Sequence, residues 1–368
     1  MSKAIHDVRS ARLAGVVADH GWDALVLYGN AWQCDYLRYA TDYVCIEGNA
    51  IAVAVKDGGR RLFVESPLEA GRAETECPWL DVSWSPDAVS AAAAFLDGLG
   101  NRKLASAPAT LMPYGLIRGR RGEEMEDAGP AIDALLLAKA DIELDAIRRA
   151  ATFADRGYQV FMDASRAGRA QFEVVADVEA FFRAEGCPEN FMIMGSGGQE
   201  VRGMTPAGER RLQVGDLVTT ELTPCVDGYY AQLCRTLVIG EPSQPQLDAH
   251  DVYLEAEAAG ISVLRAGVTA SEVARAENDV FRRHGLGEYT TNAYTRVRGH
   301  GVGLFVDTKP HILEDVDTVL PAGATVTVHP NTYHPEVGYM VLGDTSIVTE
   351  DGSECLIETP RKLLSAPG

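Results

Sequence analysis

The run Gly299-His300-Gly301-Val302-Gly303 sets an imidazole between residues without side chains, where the backbone can turn tightly and present the ring to a cleft. An imidazole placed in this way can ligate a metal, act as a general acid or base, or serve only as a satisfied structural residue. Thiol chemistry is a weaker prospect. The seven cysteines (Cys34, Cys45, Cys77, Cys187, Cys225, Cys234 and Cys355) are odd in number and never fall in a CxxC pair. That argues against a disulfide framework and a zinc cluster, and most of the seven are expected to be small buried hydrophobes.

The elements that must hold His300 are read from pattern. In the first part, Leu13 to His20 predicts a helix, and Ala24 to Tyr28, Ala50 to Val55 and Arg61 to Glu65 predict strands. Asp57-Gly58-Gly59 is a hairpin signal between the last two; Glu69 to Glu76 reads as helix and Trp79 to Trp84 as strand. No glycine-rich phosphate loop follows these strands. The register changes near Pro130, where apolar residues at helical spacing run from Ile132 to about Ala167. A helix at Phe172 to Glu185 comes next, then strands at Leu217 to Leu222 and Tyr229 to Ile239. Helices follow at Leu247 to Arg265 and Ala270 to His284, and the chain closes on a β-rich segment, Thr325 to Ile357.

Composition limits the partners. With 33 Lys and Arg against 53 Asp and Glu among 368 residues, the net charge of -20 disfavours nucleic acid and anionic membranes. The N-terminus lacks the apolar core of a signal peptide and no run is long enough to span a membrane, so the expected location is cytoplasmic.

Four segments, in order and spacing, carry a resemblance: AKADIELDAIRRAATFADRG, GDLVTTELTPCVDGYYAQLCRTLVIG, GHGVG and LPAGATVTVHPNTYHPEVGYMVLGDTSIVTEDG. Together they resemble the pita-bread (creatinase, prolidase, aminopeptidase P) family, and the N-terminal part resembles the small domain that precedes the pita-bread domain in creatinase and prolidase. The resemblance implies an α/β fold class: a creatinase-like α/β domain over 1–130 and a pita-bread α+β domain over 131–368. A homodimer with the site near the subunit interface is the assembly expected.

The resemblance also implies a changed site. Family peptidases hold two metal ions with two aspartates, one histidine and two glutamates, an arrangement that activates water and polarises the carbonyl. At those positions this chain has Glu221, Gln232, His300, His329 and Gly343, and Asp307 stands where a further family histidine would be. The creatinase pattern is lost as well. Met204-Thr205-Pro206 replaces its catalytic histidine segment, Cys234 and His329 replace its glutamates, and Glu47-Gly48-Asn49 replaces the loop whose phenylalanine and arginine reach creatine. The expectation is therefore a metal-independent, creatinase-like hydrolase or lyase cleaving a C–N bond in a small molecule of specialised metabolism. His300 and His329 would exchange the proton, Glu221 would orient one of them, and no cofactor would be needed.

Two alternatives stand beside it. Glu221, His300 and His329 are the donor set of a single divalent metal ion, which would make a mononuclear lyase or oxygenase. A catalytically silent binding protein is the other. Gln232, Met204, Tyr333, Tyr339, Glu47 and Asn49 are the expected substrate-binding residues, with Phe305 and, by the resemblance, the segment Met192–Gly198 bordering the pocket. Arg202, Arg296 and Arg298 could anchor an anion, whereas Arg235 suits a structural ion pair. Asp307, His311 and His334 are expected in solvated loops at the rim, Tyr229 and Tyr230 in packing, and Cys234 as an inert thiol.

Overall fold

The run Ala-Leu-Val-Leu-Tyr from Ala24 is apolar at every position, as a strand covered on both faces must be. It opens β1 (Ala24–Asn30) of a six-stranded sheet in a computed structural model that describes residues 3–56, 59–100, 102–118 and 125–368. By contacts the chain divides into Met1–Leu136 and Leu137–Gly368.

In the first unit the helices are α1 (Lys3–Asp19), α2 (Asp35–Thr41), α3 (Pro67–Glu76), α4 (Ala88–Gly98) and the short α5 (Tyr114–Ile117). The further strands are β2 (Asn49–Val55), β3 (Arg60–Val64), β4 (Asp81–Trp84), β5 (Leu104–Ala107) and β6 (Glu126–Asp127), in the order β4-β3-β2-β1-β5-β6. Val26, Ile51, Val53 and Phe63 form one core with Ala88, Ala92 and Leu96 of α4. That helix begins where Asp87 accepts the backbone N–H of Ser90 at 2.8 Å, an ordinary N-cap. Asp57 and Gly58 of the expected hairpin turn lie outside the described residues.

Where one helix was expected from Ile132 to about Ala167, there are two, α6 (Gly129–Leu137) and α7 (Asp141–Ala164). The break has a local cause. The backbone N–H of Lys139 donates to Gly323 at 2.9 Å, and the Glu143 carboxylate accepts the Ala140 N–H at 2.9 Å, so α7 starts afresh with its own cap. Helices α8 (Gln171–Ala184), α9 (Gln244–Val263) and α10 (Ala270–Arg283) complete the larger helical elements.

The second unit is built on a ten-stranded sheet. Its strands are β7 (Asn190–Gly197), β8 (Leu217–Val226), β9 (Tyr229–Tyr230), β10 (Leu233–Ile239), β11 (Gly299–Gly301), β12 (Thr308–His311), β13 (Thr325–Val328), β16 (Gly343–Val348), β17 (Ser353–Cys355) and β18 (Leu364–Ala366). The main path runs β12-β11-β13-β16-β10-β8-β7, and β14 (Thr332–His334) with β15 (Gly338–Met340) makes a separate hairpin. The expected strand Tyr229 to Ile239 is interrupted, because the Gln232 N–H leaves the ladder to donate to Thr345 Oγ1 at 2.8 Å. Val326 and Val328 pack with Ala270, Val273 and Ala274 of α10, which leaves Thr327 to the sheet's other face.

Candidate functional site

Strand register gathers the polar residues. Cys234 lies opposite Glu221 and also opposite Gly343, while Thr327 lies opposite both Thr345 and His300. Opposed residues, and residues two apart on one strand, share a face. Glu221, Cys234, Gly343, Thr345, Thr327 and His300 therefore line one side of five neighbouring strands, and the threonine hydroxyls meet at 3.3 Å. Arg235 and Asp344 alternate to the other side and pair at 2.7 Å, in keeping with a structural ion pair.

Glu221 is held by two amides. Asn331 Nδ2 donates to its Oε1 at 2.8 Å, and Gln232 Nε2 to its Oε2 at 3.3 Å. The Asn331 orientation is forced, since its Oδ1 accepts the Leu342 backbone N–H at 3.2 Å and only the NH₂ end remains to face the carboxylate. Burial of the carboxyl raises its pKa to about 7, against the opposing hydrogen bonds from Cys234 and Asn331. None of the hydrogen-bond partners of Glu221 is a histidine.

His300 is buried and its Nδ1 meets the Gly301 carbonyl at 2.9 Å. A carbonyl only accepts, so Nδ1 carries the proton and Nε2 the lone pair. The His329 ring lies 5.2 Å from it between centroids, at 66°. Burial lowers the pKa of both rings, and for His329, well below 6.5, the neighbouring His300 adds to the effect. Both are neutral at pH 7. His329 Nδ1 and Gln232 Oε1 are buried without a hydrogen-bond partner.

Met204, Tyr333 and Tyr339 come together with Cys234 and Val341 in one apolar cluster, joined by Tyr289 and Tyr294. Cys234 is fully buried, and burial followed by the Glu221 charge raises its thiol pKa well above 9, so it is inert as a nucleophile. Glu47 and Asn49 belong to the first unit. Glu47 is exposed there, while Asn49 donates to Glu65 at 2.9 Å and accepts from the Tyr28 hydroxyl at 2.6 Å. Asp307 and His311 form a half-exposed pair at 3.0 Å, but His334, expected in a solvated loop, is buried on β14. Tyr229 packs and donates to Glu143 at 2.6 Å. Asn331, Tyr289 and Tyr294 were not foreseen. For Asn331 the available signal was its place two residues after His329 in VHPN, the same-face step of an extended chain.

The sheet, its flanking helices and this altered central face define a pita-bread hydrolase-type fold. The sequence model of metallopeptidase family M24 matches residues 145–350, and the chain belongs to that family. It is 30% identical over 365 residues to the probable dipeptidase PepE of Mycobacterium tuberculosis, covering 97% of this chain and 93% of that one. It is 29% identical over 259 residues to the Xaa-Pro dipeptidase of Pyrococcus horikoshii, covering 69% of this chain and 73% of the relative. The crystal structure of dipeptidase PepE from Mycobacterium ulcerans superposes with a TM-score of 0.84 at 26% identity, over 100% of both chains.

These findings overturn two expectations. Relatives named as dipeptidases conflict with a metal-independent, creatinase-like enzyme of specialised metabolism, whether hydrolase or lyase. A family described as metallopeptidases conflicts with the expectation of no cofactor. The side chains present do not fit the family's paired ions, because the five positions offer one carboxylate, one amide, two imidazoles and a glycine. Among the described residues no group of three or more His, Cys, Asp or Glu is placed to hold an ion, and that includes the alternative set Glu221, His300 and His329. No step below is routed through a metal.

Proposed function

We propose that this protein hydrolyses a peptide-type C–N bond in a short substrate, with Glu221 as the proton carrier and His300 and His329 as neutral polar partners at the same sheet face. The observation that carries this reading is the Asn331–Glu221 hydrogen bond: it aims a buried carboxyl into a face that also holds two unpartnered buried polar atoms, His329 Nδ1 and Gln232 Oε1. Support also comes from the dipeptidase names of the relatives.

Glu221 takes a proton from water as the water oxygen bonds to the carbonyl carbon. The C–N bond then breaks as that proton passes from Glu221 to the leaving nitrogen, which yields a carboxylic acid and an amine and restores the carboxylate. His300 Nε2 accepts a hydrogen bond from water or substrate N–H, and Met204, Tyr333 and Tyr339 supply the apolar wall. A cytoplasmic homodimer with the site near the subunit interface is part of the same proposal, and sedimentation of the purified chain tests its stoichiometry.

The test is release of free amino acids from a dipeptide panel that includes Xaa-Pro sequences, as purified and with added Mn, Co or Zn. Wild type should turn over at least one dipeptide, Glu221→Gln should lose at least about 100-fold in kcat, and circular dichroism should stay unchanged. Failure of wild type on every peptide under every metal condition would sink the reading.

A further inference from the structure

Beside the Glu221 face stands a group of three tyrosines. Tyr289 and Tyr294 pack edge to face at 4.8 Å, and Tyr333 lies 5.6 Å from the first and 5.7 Å from the second. Tyr333 also shares an apolar cluster with Tyr339 and Cys234, and Cys234 is the cross-strand partner of Glu221. The guanidinium of Arg202 lies over this surface, 4.5 Å from the Tyr333 ring centre and 5.7 Å from that of Tyr294. Stacking holds the flat faces of the group and leaves its N–H edges free.

Those edges are almost unused. The hydrogen bond Arg202 makes is a long one, 3.3 Å from Nη1 to the Tyr294 hydroxyl, and among the described residues no carboxylate pairs with it. The other two arginines considered as anion anchors are already committed. Arg296 pairs with Asp315 at 2.5 Å, while Arg298 is fully buried and donates to the Asn331 carbonyl at 3.0 Å. Arg202 is exposed, on a chain whose net charge is -20.

We infer that Arg202, carried on the faces of Tyr333 and Tyr294, is the anchor for a free carboxylate on the substrate. It selects peptides with an unblocked C-terminus over their amides. The planar fork of a guanidinium matches a carboxylate with two parallel hydrogen bonds, whereas a neutral amide offers one acceptor and no charge. Arg202 is a positioning residue: it fixes the substrate and takes no part in proton transfer. This inference rests on the proposed peptide hydrolysis for its substrate class, and its test is therefore split between binding and turnover.

Ala-Pro and its C-terminal amide are titrated by calorimetry into the Glu221→Gln variant, with and without Arg202→Ala and Arg202→Lys. The same pair is assayed for turnover in a Glu221 background. The expected result is about tenfold or greater preference for the free dipeptide in binding, abolished by Arg202→Ala and partly recovered by Arg202→Lys. In turnover the loss should fall on KM for the free dipeptide, with kcat and the amide little changed. Discrimination that survives in Arg202→Ala overturns the inference even if hydrolysis is confirmed. Discrimination in binding without turnover of any dipeptide in the panel, under any of the metal conditions, upholds the anchor and overturns the reaction. If the free and amidated forms bind alike, or neither binds, the anchor is wrong. Tighter binding of the amide in Arg202→Ala would instead assign the tyrosines to a cationic group.

Discussion

His329 stands where a side chain on Gly343 would have to go. A Cβ built on Gly343 runs into His329 Cβ and lies 2.9 Å from the Val328 carbonyl oxygen and 3.0 Å from His329 Cα. Two positions to which the family resemblance assigns glutamates thus meet in this chain as an imidazole and a residue with no side chain. Gly343→Ala should destabilise the fold by about 1–3 kcal/mol, because backbone atoms cannot swing aside as a flexible side chain can. Pairing it with His329→Gly should recover part of that loss. Equal Tm values for Gly343→Ala and wild type would remove the steric explanation.

The Glu221 carboxyl titrates near 7 in the folded chain against an ordinary value of 4.5. Below pH 4.5 both folded and unfolded states hold the proton and nothing is lost. Between 4.5 and 7 the unfolded state ionises first, so stability falls as pH rises and levels off above 7. Glu221→Gln, which never ionises, should match wild type near pH 4 and exceed it at pH 8 by up to roughly 3 kcal/mol. Urea denaturation at the two pH values measures this, and a pH-independent difference contradicts it.

Asn331 pulls that carboxyl downward with its 2.8 Å hydrogen bond. Asn331→Leu removes the donor and leaves the burial, so the acidic limb of the kcat/KM profile should move to higher pH. An unmoved limb would mean that the amide does not govern the titrating group.

His329 imposes the opposite linkage. Burial and the adjacent His300 hold it neutral in the folded state, so the unfolded chain takes up the proton first as pH falls through 6.5. The neutral ring's contribution is present above pH 6.5 and is lost on acidification. His329→Gln should flatten the fall in stability on the acid side of 6.5. A slope as steep as that of wild type would assign the acid sensitivity elsewhere.

On the opposite side of the same strands, Arg235 and Asp344 are both buried and paired at 2.7 Å. Removing Asp344 takes away the carboxylate that directly pairs with the buried guanidinium and leaves it its backbone acceptors and the Glu257 charge. Asp344→Ala is expected to cost about 3–5 kcal/mol in chemical denaturation, whereas a joint replacement of both residues by apolar ones should cost less than the single change. If the double variant is no better than Asp344→Ala, the stranded charge is not the source of the loss.

How much of this was legible in the chain depended on how local each signal was. The apolar run at Ala24, the amphipathic period through α7 and α10 and the ordered segments around Glu221, His300 and His329 depend on neighbours in sequence, and the family could be recognised from them. The break between α6 and α7 could not be read there, because it is made by Gly323, far along the chain from Lys139. His334 likewise looked like a loop residue until the β14–β15 hairpin buried it.

The sequence by itself determined the strand and helix types, the family's residue order and the exchange of its acidic ligands for Gln232, His329 and Gly343. Only the tertiary structure decided what those exchanges accomplish. It set Asn331 rather than a histidine against Glu221, committed Arg298 to burial while leaving Arg202 open on its tyrosines, and put Gly343 beneath His329. The physical reason is that hydrogen-bond partners and burial are fixed by strand register and by contacts between distant segments. The same carboxylate or guanidinium changes its pKa and its freedom with those contacts alone.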